Sequence, residues 1–372
     1  MTYAVIKKAV RQTDVSPFLT GWTAARARLQ GLPGGGLNIA HEAVDRHVAA
    51  GHGAQAALIW LGREGLRLVL SYADLAADAA RFANVLRAHG IGPGERMFLL
   101  SGRVPALYAA TLGALKAGVV VSPLFAAFGP EPVRARMEIG GASVLVTTAQ
   151  HYARKVASWR ADMPGLRLVL IIGDDAPEGC VALGPAMAAA PATFDTCPTR
   201  PEDMALLHFT SGTTGLPKGV VHAHEAVVAH AETGRIALDL HPGDIYWCTA
   251  DPGWVTGMSY GIISPLCNRV TMVVDEAEFD LDRWYGILER EKVQVWYTAP
   301  TAIRMMMRAG DVAAKGHDFS ALRFLASVGE PLNAECVIWG QQVFGLPFHD
   351  NWWQSETGGI MIANTTDMDI KP

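Results

Sequence analysis

The chain has 372 residues, of which half are hydrophobic and 18% are charged, so we expect a large buried core and exclude wholesale disorder. Basic residues number 31 and acidic residues 36, and this net charge of −5 offers no electrostatic footprint for nucleic acid or an anionic membrane, although it leaves room for a local basic site that binds a small anion. The length corresponds to roughly two to three domains.

The cysteines are scattered, odd in number and never spaced as C-x-x-C; they are Cys180, Cys197, Cys248, Cys267 and Cys336. This usage argues against a disulfide framework or a zinc site and favours a reducing compartment. The first residues lack the apolar core of a signal peptide. The uncharged stretch 252–268 is too short, and too rich in glycine and proline, to span a membrane. We therefore expect a cytoplasmic protein.

The first half of the chain predicts alternating helices and strands after an irregular segment, 1–55. Ser71 and Asp74 predict the capped start of a helix whose apolar residues repeat at helical spacing up to Gly90. Strands are predicted at 97–100, 119–121, 144–147 and 168–172, and further helices at 105–117 and 132–139. Because these strands are apolar without alternation, they indicate a parallel sheet buried on both faces.

A second series follows residues 174–203, which are richer in Asp, Pro and Ala and form the predicted boundary. Its strands are predicted at 205–209, 245–249, 270–274, 293–297 and 322–328, and its helices at 225–238, 282–291, 301–309 and 333–344. The sequence thus predicts an α/β protein with two doubly wound, mostly parallel sheet subdomains, 56–200 and 201–372. Ligands of such sheets lie at the carboxyl ends of strands, so the loops there are the candidates for chemistry.

The loop after Phe209 reads TSGTTGLPKG and combines hydroxyl side chains, glycines and Lys218. Glycines let main-chain N–H groups close on an anion, hydroxyls donate hydrogen bonds and lysine supplies charge, so the loop is typical of phosphate binding between a strand and a helix. It does not follow the pattern G-x-x-x-x-G-K-[ST], because Pro217 precedes Lys218 and Gly219 follows it. The alternative is a polar surface loop with a solvated lysine.

This loop resembles the signature loop of the adenylate-forming superfamily, which includes acyl-CoA synthetases, peptide-synthetase adenylation domains and luciferases. Three later segments resemble acetyl-CoA synthetases in sequence, order and spacing: TADPGWVTG at 249–257, SVGEP at 327–331 and NWWQSETGG at 351–359. The likeness extends from about residue 41 to the last residue. It implies an ATP-dependent acetate–CoA ligase (AMP-forming) that works through an acetyl-adenylate and uses ATP, Mg²⁺ and coenzyme A.

The resemblance implies catalytic roles for Lys218, Thr213 and Glu356, with Glu356 holding Mg²⁺ on the phosphates. The residues expected to bind ATP or AMP are Thr210, Ser211, Gly212, Thr213, Thr214, Gly215, Lys218, Gly329, Glu330, Pro331, Asp350, Asn351, Trp352, Trp353, Gln354 and Ser355. Without the resemblance, Glu356 would be interpreted as a surface glutamate and Trp352 as a residue packed in the core, and these alternatives remain open.

Trp353 carries the expectation about the substrate, because at this position of the family a tryptophan closes the acyl pocket. With Val255, Thr256 and Val328 it is expected to form a slot for acetate. Since one methylene is worth only about 1–3 kcal/mol in such a slot, propionate remains an alternative substrate. The resemblance also implies CoA contacts at Thr256 and Arg136, although a helix-surface arginine would equally explain Arg136.

The resemblance finally implies a small C-terminal lid domain that this sequence does not include, supplied by the same or another chain. The expected partners are thus acetate or another short carboxylate, ATP and CoA, without nucleic acid or membrane. Because lid domains complete such sites and exclude water, we expect the 372 residues alone to be poorly active. The alternative from another class is a non-catalytic nucleotide-binding fragment.

Overall fold

The structure is a computed structural model that describes residues 4–6, 21–211 and 216–372. Its strands are β1 (Ala56–Leu61), β2 (Arg67–Ser71), β3 (Arg96–Leu100), β4 (Val120–Pro123), β5 (Val144–Thr148), β6 (Leu168–Ile172), β7 (Val181–Ala182), β8 (Met204–Thr210), β9 (Lys218–Ala223), β10 (Ile245–Cys248), β11 (Thr271–Asp275), β12 (Val295–Thr298), β13 (Phe324–Ser327), β14 (Phe348–Trp352) and β15 (Ile362–Ala363).

The α-helices are α1 (Trp22–Ala27), α2 (Tyr72–Ala88), α3 (Pro105–Lys116), α4 (Pro130–Ile139), α5 (Ala149–Lys155), α6 (Leu183–Ala189), α7 (Ala226–Ala237), α8 (Val255–Met258), α9 (Ser264–Cys267), α10 (Leu281–Arg290), α11 (Pro300–Ala309) and α12 (Ala334–Phe344). Short 3₁₀ turns occupy Pro33–Gly35, Arg160–Asp162, Ala313–Gly316 and Ser355–Thr357, and π-helical segments occupy His41–Asp45, Val48–His52 and Ser259–Ile263. The segment 1–55, expected to be irregular, therefore contains helical turns in its described part.

The described residues form two mostly parallel sheets. One sheet has the strand order β15-β14-β13-β12-β10-β11-β1-β2 and the other β7-β6-β5-β3-β4-β8-β9. Antiparallel pairing occurs only at β1–β2, β14–β15 and β8–β9 among these strands. The predicted α/β architecture of two mostly parallel sheets with flanking helices is thereby confirmed.

Apolar residues cover the sheets on both faces, as the unalternating strand sequences predicted. On β3, Met97 and Leu99 join the core cluster that also contains Phe82 of α2, whereas Phe98 and Leu100 join a cluster with Val133 of α4. The first cluster also includes β1 and β11, so α2 and α3 pack between the two sheets. The other face of the eight-stranded sheet packs against α10, α11 and α12.

Two pairs of strands belong to a different sheet from the one that their position along the chain suggests. The hairpin β1–β2 lies in the sheet formed mainly by the second half of the chain, where Leu58 of β1 pairs with Met272 of β11. Strands β8 and β9 follow the predicted boundary but extend the other sheet, where Leu206 pairs with Val121. The division at residue 200 stays a prediction, and strand pairing does not follow it.

Local signals at helix ends agree with the structure. The Ser71 side chain accepts a hydrogen bond from the Asp74 amide, and the Asp74 carboxylate accepts one from the Ser71 amide, which confirms the predicted cap of α2. The five cysteines are free. Within the described ranges, no helix has the length and apolar character needed to cross a membrane.

Candidate active site

The carboxyl ends of adjacent parallel strands bring four loops to one edge of the eight-stranded sheet. Cys248 of β10 pairs with Tyr297 of β12, and Ser327 of β13 pairs with both Thr298 and Asp350. The loops that leave these strands are therefore neighbours, which is the position expected for a ligand site.

The hydroxyl-rich loop enters from the other sheet, and its setting corrects one prediction. It was expected between a strand and a helix, but it joins the antiparallel strands β8 and β9, with Thr210 paired to Lys218. Val220 and Val221 favour an extended chain after Lys218, so the strand forms before α7 begins. The Lys218 side chain is exposed, whereas Gly212, Thr213, Thr214 and Gly215 lie outside the described residues.

A cavity of about 380 Å³ opens beside the described end of this loop. Its lining includes the predicted residues Thr210, Ser211, Val255, Ser355 and Arg136, together with Pro123, Phe128, His208, Phe209, Gly253 and Trp254. Residues predicted separately for phosphate, acyl and CoA contacts thus surround one space.

Arg136 is half-buried in α4, and its guanidinium lies over the Phe128 ring, 4.4 Å from the ring centroid. One guanidinium nitrogen donates to the Pro132 carbonyl at 2.9 Å, and Nε is buried without a partner among the described residues. Burial lowers the pKa of Arg136 from its usual value. Arg136 therefore belongs to the cavity wall, with donor capacity left for an anion.

A second cavity, of about 210 Å³, lies at the ends of β10 and β12, and Trp254 lines both cavities. Three predicted residues line it: Thr256, Val328 and Gly329. On its wall the hydroxyls of Thr249 and Thr298 share a hydrogen bond of 2.7 Å. This small, partly apolar space suits a short ligand group.

Trp353 is 9% exposed and belongs to the same core cluster as Val328, with Val255 packed against that cluster. Its ring packs edge-on against Tyr260, with centroids 5.0 Å apart. Trp353, Val255 and Val328 thus share one apolar cluster, and Val328 and Thr256 line the smaller cavity, whose lining does not include Trp353.

The turn Ser355–Thr357 presents Glu356 to solvent. Gln354 is exposed at the start of the turn, where its main-chain N–H donates to the Thr357 hydroxyl at 3.0 Å. Gly358 ends the turn at φ +72°. The positive φ explains the glycine, because other residues rarely adopt this conformation.

The donor chemistry around Glu356 fits magnesium that arrives with phosphates. No group of three or more His, Cys, Asp or Glu side chains suited to a metal occurs in the described residues. Mg²⁺ is commonly held by one or two carboxylates together with substrate phosphates and water. Glu356 is a single exposed carboxylate next to Ser355 of the larger cavity, and it matches that requirement although it does not itself line the cavity.

The predicted nucleotide residues of β14 differ in accessibility. Trp352 is 50% exposed. Asn351 is buried; its side chain accepts from the Tyr297 hydroxyl at 2.9 Å and donates to the Ser327 carbonyl at 3.1 Å, so it joins three strands. Asp350 is half-buried, and desolvation raises the pKa of its carboxyl.

The predicted segment 329–331 lies at the end of β13, with Gly329 at φ +100° and Pro331 exposed. The Glu330 carboxylate accepts from the Thr301 hydroxyl at 2.5 Å and pairs with Arg304. The Thr301 hydrogen bond, and then Arg304, lower the pKa of Glu330. Its carboxylate is thus held against α11, and of this segment only Gly329 lines one of the two cavities.

Two lining residues, Asp251 and Trp254, received no role from the sequence. Asp251 accepts from the Gly253 amide at 2.7 Å, and burial raises the pKa of its carboxyl. Trp254 packs against Phe125 and Phe128, with centroids 5.3 and 5.9 Å away. Both follow the predicted strand ending at Thr249, so the rule of strand carboxyl ends was the available signal.

The description of the family model that matches residues 45–372 is "AMP-binding enzyme". The chain belongs to the AMP-binding enzyme family. Among curated relatives it is 41% identical to an acetyl-coenzyme A synthetase of Bacillus subtilis over 354 residues, which cover 94% of this chain and 61% of that protein. An acetyl-coenzyme A synthetase of Methanothrix thermoacetophila is 37% identical over 352 residues, 89% of this chain and 53% of that protein.

Among solved structures, the crystal structure of a Brucella canis acyl-CoA synthetase matches with a TM-score of 0.86 and 32% identity. The match covers 94% of this chain and 63% of the Brucella chain. This member of the AMP-binding enzyme family therefore spans between 53% and 61% of the length of these two curated acetyl-coenzyme A synthetases.

Proposed function

We propose that the chain provides the ATP and acid sites of an acetate–CoA ligase (AMP-forming). The observation that carries the proposal is that Trp254 lines both cavities, so that Thr210, Ser211 and Ser355 lie beside a small space formed by Thr256 and Val328. The names of the relatives support acetate as the acid.

The reaction joins two anions, so the protein supplies positive charge, hydrogen-bond donors and positioning rather than a nucleophile. An acetate oxygen attacks the α-phosphorus of ATP, the bond to the bridging oxygen breaks and pyrophosphate leaves. The CoA thiolate then attacks the acyl carbon, and the bond to the AMP oxygen breaks. In the first step Lys218 and the hydroxyls of Thr210 and Ser211 bind phosphate oxygens.

Glu356 would hold Mg²⁺, which supplies charge neutralisation on the phosphates when it is bound. Trp352 stacks on the adenine ring through its exposed face, and segment 329–331 lines the opposite side of the base. Arg136 binds an anionic part of CoA at the mouth of the larger cavity, and Thr256 lies near the thiol end.

Trp353 limits the length of the acid by closing the apolar slot beside Val255 and Val328. Acetate fits such a slot, and propionate adds one methylene, which changes binding by only about 1–3 kcal/mol. We therefore expect acetate and propionate to be accepted, with longer acids rejected.

Acid-dependent exchange of labelled pyrophosphate into ATP tests the proposal, since it reports adenylate formation without CoA. We expect exchange with acetate, weaker exchange with propionate and none with hexanoate. We also expect it to be slow, because the relatives extend well beyond the matched region and lid domains complete such sites. Binding of ATP without exchange under any acid would favour the non-catalytic nucleotide-binding alternative.

A further inference from the structure

Three buried histidines lie side by side beneath the Ser355–Thr357 turn. His208 on β8, His222 on β9 and His230 on α7 are 3%, 5% and 0% exposed. The ring centroids of His208 and His222 are 5.0 Å apart, and those of His222 and His230 are 6.3 Å apart. We call these three residues the histidine ladder.

Two members of the histidine ladder hydrogen-bond to the main chain of the turn. His222 Nε2 lies 2.7 Å from the Ser355 carbonyl oxygen, and His230 Nε2 lies 2.8 Å from the Gly358 carbonyl oxygen. Because a carbonyl only accepts, both imidazoles must carry the proton on Nε2. The two carbonyls flank Glu356, one residue before it and two residues after it.

The environment keeps these imidazoles neutral. The Nδ1 atoms of His222 and His230 are buried and have no partner within the described part of the chain, so a second proton there would find no acceptor. Burial lowers the pKa of His222 and lowers that of His230 to about 3. Each ring therefore remains a fixed Nε2–H donor at neutral pH.

A third attachment follows the turn. The Ile360 amide donates to the Tyr260 hydroxyl at 2.7 Å, and that hydroxyl is 2.7 Å from the Thr233 hydroxyl. Thr233 itself donates to the Ala229 carbonyl at 2.6 Å, so Tyr260 donates to Thr233. The buried side of the turn is thus attached at Ser355, Gly358 and Ile360, while the Glu356 side chain faces solvent.

We infer that His222 and His230 are positioning residues for Glu356: they fix the carbonyls on either side of it and so present its carboxylate to the magnesium ion of bound ATP. The inference rests on the proposed function. The physical basis is that hydrogen bonds behind a metal ligand fix its orientation, and their loss typically weakens metal binding by roughly 10–100-fold. His222 and His230 themselves line neither of the two cavities.

The variants His222→Leu and His222→Gln separate hydrogen bonding from bulk. Leucine fills the space without a donor, whereas the glutamine amide nitrogen can replace Nε2. His224→Asn is the matched control, because His224 is also buried but its Nδ1 accepts from the Ile39 amide at 3.1 Å, where the asparagine oxygen can replace it. Two measurements are made on the 372-residue chain. Mass spectrometry follows amide hydrogen exchange in residues 354–360, and calorimetric titration gives the affinity for ATP with and without Mg²⁺.

We expect His222→Leu to speed exchange in 354–360 and to lower affinity for Mg²⁺-ATP about tenfold while metal-free ATP binding stays within about twofold. His222→Gln and His224→Asn should resemble the unaltered chain. Unchanged exchange and unchanged Mg²⁺-ATP affinity in His222→Leu would overturn the inference, as would an equal loss of metal-free binding. If the unaltered chain bound no ATP, the proposed function would fail, whereas faster exchange in His222→Leu would still show that His222 holds the turn.

Discussion

The indole ring of Trp353 packs edge-on against Tyr260, with centroids 5.0 Å apart and planes at 74°. The Tyr260 hydroxyl also accepts from the Ile360 amide, which follows the turn that carries Glu356. One tyrosine therefore supports both the wall of the proposed acyl slot and the loop of the proposed metal ligand. Substitution of Trp353 should therefore alter binding of the acid, whereas substitution of Glu356 should alter binding of Mg²⁺-ATP.

Replacing Trp353 by alanine should lengthen the acyl slot. We expect the variant to bind the hexyl ester of AMP, which the unaltered chain should reject, and to lose about 3–5 kcal/mol of unfolding free energy from the lost packing. Calorimetric titration with propyl and hexyl esters measures the first effect. Trp339→Ala is the control, because Trp339 is 5% exposed on the opposite face of the sheet. Unchanged ester preference in Trp353→Ala would show that Trp353 does not limit acid length.

Replacing Lys218 by alanine should weaken ATP binding without affecting folding. A charged hydrogen bond to phosphate is worth about 1.5–3 kcal/mol, so we expect roughly a tenfold to hundredfold loss of affinity. Lys218 is exposed, and its removal leaves the core intact. Lys315→Ala removes another exposed lysine, which lies on the Ala313–Gly316 turn rather than on the hydroxyl-rich loop, and should bind ATP normally. Equal affinities for the two variants would argue that Lys218 is only solvated.

Replacing Glu356 by glutamine should affect binding only when magnesium is present. We expect about a tenfold loss of Mg²⁺-ATP affinity and unchanged binding of AMP without metal, because the amide keeps the size of the side chain but not its charge. Titrations at several Mg²⁺ concentrations make this comparison. Glu64→Gln neutralises another exposed glutamate, between β1 and β2 rather than on the Ser355–Thr357 turn, and serves as the control. A loss that did not depend on Mg²⁺ would contradict the metal role.

Acid should destabilise the protein through its buried histidines. Burial lowers the pKa of His224 to about 4 and that of His230 to about 3, below the ordinary 6.5. The unfolded chain thus binds protons at a pH where the folded chain does not. The free energy of unfolding should be independent of these histidines above about pH 6.5. Below that pH it should fall by about 1.4 kcal/mol per pH unit for each histidine, until the pH reaches the pKa of that histidine in the folded chain.

Urea unfolding at a series of pH values measures this fall. His224→Gln removes one of the titrating groups, so its free energy of unfolding should decline less steeply than that of the unaltered chain over the same interval. Parallel pH profiles for the two proteins would show that His224 is not a source of the acid sensitivity.

The sequence predicts the parallel core well because a strand that is buried on both faces is a continuous apolar run without polar alternation. β6 was predicted with its observed bounds, Leu168–Ile172, and β3 to within one residue at Arg96. The Ser71–Asp74 cap also follows from local hydrogen bonding alone. These features depend on neighbours in sequence or on uniform hydrophobicity.

The features that were missed depend on pairing between distant segments. β9 is short, begins at Lys218 and carries His222 among its valines, so its pattern resembles a loop until β8 is placed beside it. Likewise, nothing local assigns Leu58 to the sheet of Met272. The role of the histidine ladder could not be predicted either, because its partners are main-chain carbonyls more than a hundred residues away.

Calorimetric titration of the 372-residue chain with the propyl ester of AMP, compared with AMP alone, tests the central claim most directly. The ester places a nucleotide and a short acyl mimic in one molecule, so it reports whether the two sites adjoin. We predict that the ester binds more tightly than AMP and that Trp353→Ala reduces this difference. Equal affinity for AMP and its ester, or no binding of either, would contradict the account.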